Sequence, residues 1–226
     1  VAVAELSIPD PLERDDLGVF LARAVRLDSQ VIVRLRVGRT RLHVWVDTPF
    51  DALVTRSVHG AVRPGDLTVK GTELLTAVAV AGGAMVDPGR AQDAQWRCAL
   101  PPEQGWCEVD QVPAEVLTDL ADRGISLARA NPGPHGSPPS ALLDQEVITV
   151  SRAGFDVGVP LRCLFALSGM GFVGRRAAAE TVRVWATDSW LRLDARYGAV
   201  LRRRHVLLPL LVSRPNLLDL ESRPSR

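Results

Sequence analysis

Lysine is almost absent: of 27 basic side chains in 226 residues, Lys70 alone is lysine and the other 26 are arginine. Excess charge of one sign is absent too, because 26 acidic residues leave a formal net charge of +1. That balance excludes a bulk nucleic-acid coat protein. Cysteine is scarce, and Cys98, Cys107 and Cys163 form an odd set with no CxxC pair. This excludes a disulfide framework and a zinc knuckle and points to a reducing compartment. Four histidines, His43, His59, His135 and His205, lie in four separate segments, so no metal-ligand spacing arises. Long apolar runs are missing as well. Near the end, Val206–Val212 is only seven residues and contains Pro209, whereas a spanning helix needs about 20. Val1–Leu6 has neither the basic nor the apolar region of a signal peptide, so the expectation is a cytoplasmic protein without membrane contact.

What is present is a core: 46% of the residues are apolar and 23% charged, enough to exclude a disordered chain. Asp10-Pro11-Leu12-Glu13 is a helix start, with Asp10 as cap, Pro11 at the first helical position and Glu13 at capping-box spacing. Leu17, Phe20, Leu21, Ala24 and Val25 continue at helical spacing and predict a helix over 11–27. The period then becomes two. Val31, Val33, Leu35 and Val37, a turn at Gly38-Arg39-Thr40, and Leu42, Val44 and Val46 predict a hairpin, with a third strand over 52–58. Asp66–Lys70 is a short strand before a helix capped by Thr72. Residues 84–108 read as loop, and Pro113 opens a helix ending at Gly124.

Ala130–Pro139 holds four prolines and two glycines in ten residues and reads as a linker or mobile loop. Beyond it, strands are predicted at 146–150 and 156–159, followed by the apolar segment Leu161–Leu167. Alternation predicts further strands at 182–187 and 190–196, and a last one around Val200 that extends toward 206–211. The expected fold class is α+β, with mostly antiparallel sheets, about four helices and two similar halves. The expected organisation is an N-terminal half 1–129, a linker 130–140, a C-terminal half 141–212 and a loose tail 213–226. Val44-Trp45-Val46 and Val184-Trp185-Ala186 echo each other across the two halves.

Gly169-Met170-Gly171-Phe172-Val173-Gly174 is a literal GxGxxG. A dinucleotide fingerprint needs a strand before it and a helix after it. Here Pro160, Leu161, Leu164 and Phe165 read as a helix stopping at Gly169, and Val182 soon opens a strand, so no cofactor is expected. Ser168 lacks the flanking glycines of a nucleophile elbow. No catalytic or metal residue is assigned. The densest basic segment offers the candidate interaction patch: Trp190, Arg192, Arg196, Arg202 and Arg204. In a strand, Arg202 and Arg204 share one face and Arg203 takes the other, and guanidinium forks beside an indole suit phosphate or an acidic partner. Trp96 and Trp106, flanking Leu100-Pro-Pro-Glu-Gln-Gly, form an aromatic recognition loop or a lid tucked onto a sheet.

Arg41-Leu-His-Val-Trp-Val-Asp-Thr-Pro-Phe50, Leu100–Trp106 and Trp190-Leu-Arg-Leu-Asp-Ala-Arg-Tyr-Gly198 together resemble a family of conserved actinobacterial proteins of unknown function. That resemblance implies no chemistry, and it agrees with arginine use imposed by GC-rich coding. A second resemblance is architectural. A short strand, helix 11–27, three strands, then Asp66–Lys70 leading into a helix is similar to one half of a DNA sliding-clamp domain. The likeness implies helices that line a duplex channel and carry Lys or Arg. Here Arg14, Arg23 and Arg26 sit beside Asp15 and Asp16, and the second helix has no basic residue after Lys70. The second half also places a helix among its strands. The leading expectation is a non-enzymatic interaction module with an unknown protein partner or a second copy of itself. The alternatives are a ligand-binding protein or enzyme with a pocket between the halves, and a clamp-like nucleic-acid-associated protein.

Overall fold

Each stretch of alternating side chains becomes a strand, and together the strands build one large sheet. The computed structural model describes residues 4–133, 137–152, 155–174 and 180–204. The first half runs β1 (Glu5–Ser7), α1 (Pro11–Leu27), β2 (Ile32–Val37), β3 (Leu42–Thr48), β4 (Ala52–Val58), β5 (Ala61–Arg63), β6 (Asp66–Lys70), α2 (Gly71–Val80) and β7 (Met85–Val86). A strap then leads through a 3-10 turn at Asp93–Gln95 to the second half. That half runs β8 (Cys107–Pro113), α3 (Ala114–Ala130), α4 (Ser140–Leu143), β9 (Glu146–Arg152), β10 (Phe155–Pro160), α5 (Leu161–Gly169), β11 (Thr181–Ala186), β12 (Trp190–Ala195) and β13 (Gly198–Arg203). Residues 131–133 and 137–139 lie between α3 and α4. The predicted extension through 206–211, the tail, His135 and His205 lie outside the described residues.

Eight strands form the large sheet in the order β6-β2-β3-β4-β13-β12-β11-β8, with every neighbouring pair antiparallel. Its centre is the β4–β13 pair, where Val54 lies opposite Val200. Two small sheets, β5-β1-β7 and β10-β9, complete the strands. Exchanging the halves across the central pair maps β2-β3-β4 onto β11-β12-β13, β6 onto β8, α1 onto α5 and α2 onto α3. The β1–β7 pair maps onto β10–β9. The halves are therefore alike in space but permuted in sequence, so the second half carries helices among its strands.

Helices cover one face of the sheet, α1 packed on α2 and α3 on α5. One buried cluster spans both halves, including Leu17 and Phe20 of α1, Val44 and Val54 of the first half, and Leu164, Leu193 and Val200 of the second. Asp10 caps α1 as expected, its Oδ1 accepting the Leu12 N–H at 2.9 Å. Glu13 does not close the capping box. Its carboxylate reaches the His59 N–H and ring and both bonds from Arg41, pinning α1 to the β4–β5 turn. Thr72 is not the cap of α2. The helix begins at Gly71, where an added Cβ would lie 2.5 Å from Val31 Cγ1, so only glycine fits. Gly124 does not end α3. The helix continues to Ala130, and the missing side chain lets Leu161 and Phe165 of α5 press against it.

The GxGxxG segment is the end of α5 and its exit. Arg23 donates to the carbonyls of Met170 and Gly171 at 2.7 and 2.8 Å, and Arg26 to that of Gly169 at 3.3 Å. Two cations thus meet the negative end of the helix dipole. Gly171 has φ +57, and the Arg23 guanidinium occupies the place of its Cβ.

Candidate functional site

Period two sends His43, Trp45 and Asp47 of β3, and Leu53, Thr55 and Ser57 of β4, to the sheet face away from the helices. Trp190, Arg192 and Asp194 of β12 join them. This face carries its own small buried cluster of Trp45, Leu53, Trp190, Ala199 and Leu201. The strap covers it. At the β6 edge the strap exchanges two hydrogen bonds with Thr68, from Gln92 N–H at 2.7 Å and to Asp93 Oδ1 at 2.8 Å. Trp96 lies under the Arg34 guanidinium, 5.7 Å from ring centre, and Trp106 under that of Arg192 at 5.9 Å. Each indole N–H folds back onto the strap, Trp96 to the Cys98 carbonyl and Trp106 to the Pro102 carbonyl. The Cys98 thiol donates to Asp47 at 2.9 Å. Burial pushes that thiol up to about 12, helped by the Asp47 carboxylate, and burial likewise raises Asp47 above the usual carboxylate range.

Between the strap and the β2–β3 hairpin lies a cavity of about 300 Å³. Trp45 and Trp106 are its aromatic walls, and Leu100, Pro101 and Pro102 its roof. His43, Thr55 and Ser57 supply polar groups, and Arg36, Arg39 and Arg192 stand at its rim with Glu103. Ser57 and His43 face each other across β3 and β4, Oγ to Nδ1 at 2.8 Å. Burial, and then the Arg192 charge, lowers the histidine pKa, so the ring is neutral at neutral pH. The Thr55 hydroxyl is buried without a hydrogen-bond partner among the described residues.

A second cavity, about 500 Å³, opens at the end of β13. Four arginines and four acids line it, and Arg162, Arg202, Asp51 and Asp144 are paired with each other. Arg162 (Nε) donates to Asp144 Oδ1 at 3.0 Å and, through Nη1, to the Phe50 carbonyl at 2.7 Å. Arg202 bridges Asp51 and Asp144 at 3.2 and 3.3 Å. These contacts join the β3–β4 turn to the second half. Among the described residues no group of three His, Cys, Asp or Glu is placed to hold a metal ion.

The five residues singled out from the sequence fall in three places. Trp190 and Arg192 lie on the strap-covered face. Arg202 and Arg204 share the other face and line the charged cavity. Arg196 stands apart at the β12–β13 turn, paired with Glu180 at 2.8 Å. It is Arg203 that stacks on Trp190, at 5.8 Å. His43, Thr55, Ser57, Arg36 and Arg39 were not singled out. His43, Thr55 and Ser57 come together only once the β3–β4 register is known, and Arg36 and Arg39 join them through the β2–β3 hairpin.

The architecture is that of a DNA sliding clamp. The chain superposes on the Bacillus subtilis DNA polymerase sliding clamp with TM-score 0.57 at 13% identity, over 95% of this chain and 68% of that one. A chain described as a DNA polymerase III beta subunit from Eubacterium rectale gives 0.58 at 9%, and Caulobacter crescentus pol III beta gives 0.54 at 16%. Each match covers 88% of this chain and 64% of that one. The chain therefore spans about two thirds of the clamp length, and at such identities the likeness is one of fold. Two family models divide the sequence, both for domains of unknown function. Residues 1–98 match DUF8010 and residues 101–207 match DUF8185, so the division falls within the strap. No curated protein matches the sequence. Among the described residues no helix is long and apolar enough to cross a membrane.

Proposed function

We propose that this chain is a non-enzymatic clamp-fold module that holds a protein partner at the strap-covered face and does not encircle duplex DNA. One observation carries this reading: among the described residues the helix layer lacks a cationic surface. The four long helices hold seven acidic side chains and six arginines. Arg14, Arg23, Arg26 and Arg162 all donate to backbone carbonyls within the molecule. A surface of that composition gains little by releasing counterions from a duplex. The opposite face, by contrast, offers aromatic walls and, among the described residues, an Arg39 guanidinium with no ion pair.

Two measurements test the proposal. Fluorescence anisotropy of a labelled duplex is expected to show no binding even at low ionic strength. Salt-sensitive binding that Arg123→Glu on α3 removes would overturn it. A photo-cross-linking side chain in place of Gln104, on the strap, is expected to yield a discrete protein adduct in cells. The same group in place of Arg123 is expected to yield none, and adducts from Arg123 alone would equally overturn the proposal.

A further inference from the structure

We propose that the cavity beneath the strap takes an acidic peptide segment bearing one aromatic or large aliphatic side chain. The side chain enters between Trp45 and Trp106, and its carboxylate neighbour meets Arg39 and Arg36 at the rim. This rests on the reading of the chain as a protein-holding module and adds the chemistry of what is held.

Four features converge. The volume, about 300 Å³, is at the lower end of ligand cavities and suits one large side chain with its flanking backbone. Two indoles offer flat apolar area at low entropic cost. Thr55 is only 5% exposed, yet its hydroxyl has no partner among the described residues, and it lies in the cavity lining. A buried hydroxyl left unpaired is costly, and a peptide group or carboxylate would satisfy it. Charge sets the sign of the occupant. Three arginines face the cavity against Glu103 alone. Arg192 is matched by Asp194 at 2.6 Å, Arg36 meets Glu103 only at 4.0 Å, and Arg39 has no ion pair or hydrogen bond among the described residues. A basic segment would meet like charges there, whereas an acidic one finds Arg39 unpaired among the described residues and Arg36 held only by its long contact with Glu103.

The probes are three fluorescein-labelled peptides titrated against the full chain: Ser-Asp-Asp-Trp-Leu-Ser, the same with two lysines for the aspartates, and the same with alanine for the tryptophan. The first is expected to bind at least about tenfold more tightly than the others. Arg39→Glu, on an exposed turn, is expected to erase that preference without changing the melting temperature. Thr55→Val is expected to weaken the acidic peptide about threefold to tenfold. Equal binding of the lysine peptide, indifference to Arg39→Glu, or no binding of any probe at about 1 mM would overturn the inference. If the Gln104 cross-link still captures a protein in that event, the partner chemistry fails and the protein-holding role stands. If the cross-link fails too, both fall.

Discussion

Arg162 is the charged residue that is buried among the described residues. Its guanidinium is 7% exposed and donates twice to Asp144 and once to the Phe50 carbonyl. Arg162→Met keeps the apolar stem, removes the charge and leaves that carbonyl without its donor. Hydrogen bonds to charged groups contribute about 1.5–3 kcal/mol each, and breaking a fully buried ion pair costs about 3–5 kcal/mol. Three features reduce the loss here. Asp144 is half exposed and keeps water, and Arg202 still reaches it at 3.3 Å. Arg162 also stands in the first turn of α5, where a cation opposes the helix dipole by about 0.3–1 kcal/mol. The expected net loss is about 2–3 kcal/mol. For a chain of this size that lowers Tm by roughly 5–10 °C, read by circular dichroism on heating. Asp144→Asn should cost less, because the amide oxygen still accepts from Arg162. A Tm for Arg162→Met within about 1 °C of the parent chain, or a larger loss from Asp144→Asn, would refute the reasoning.

Gly124→Ala should destabilise by about 1–2 kcal/mol despite the better helix former, because the new Cβ would lie 2.6 Å from the buried Leu161 side chain; urea unfolding reads it. Stability should fall on acidification. Burial raises the Glu13 pKa, but hydrogen bonds from His59 and Arg41 outweigh it and hold the carboxyl below its usual value of 4.5. A depressed folded pKa contributes stability above the unfolded value and loses it as the pH drops below, so the parent chain should lose more than Glu13→Gln between neutral pH and the region beneath 4.5. Iodoacetamide at mildly alkaline pH should label exposed Cys107 well before Cys98 and Cys163, whose thiols are both pushed up to about 12. Mass spectrometry decides this, and equal labelling of Cys98 would show that its bond to Asp47 does not persist.

Local chemistry was legible in the sequence. The Asp10-Pro11 start, the β2–β3 hairpin and the alternation around Val184 and Leu193 all became elements within a residue or two. What escaped depends on distant partners. Cys107 and Glu108 fall at the end of the loop reading and Val109–Val112 carries no strand signal, because an edge strand with Glu108, Asp110 and Gln111 on it lacks an apolar face of its own and forms only against β11. Gly124 looks like a helix stop until α5 is seen to need the space. Trp96 and Trp106 announce an aromatic strap, but not that Arg34 and Arg192 would hold it down. Arginine, so conspicuous in the composition, divides between uses that no spacing distinguishes: helix-end carbonyls for Arg23, a buried pair for Arg162, a free rim for Arg39.

The pairing of Val54 with Val200 has a consequence for how this chain acquires its structure. The middle of a sheet is usually its earliest and safest part, built by hairpins whose strands are neighbours in sequence. Here the hairpins lie to either side, and the middle is the contact that spans most of the chain. Closing it carries the largest loop entropy, so folding should be slow for a protein with so many helices. Until it closes, β4 and β13 are both bare, mostly apolar edges, each able to pair with the corresponding strand of another molecule. Misassembly by exchange of whole halves is therefore the failure to which this architecture is most exposed.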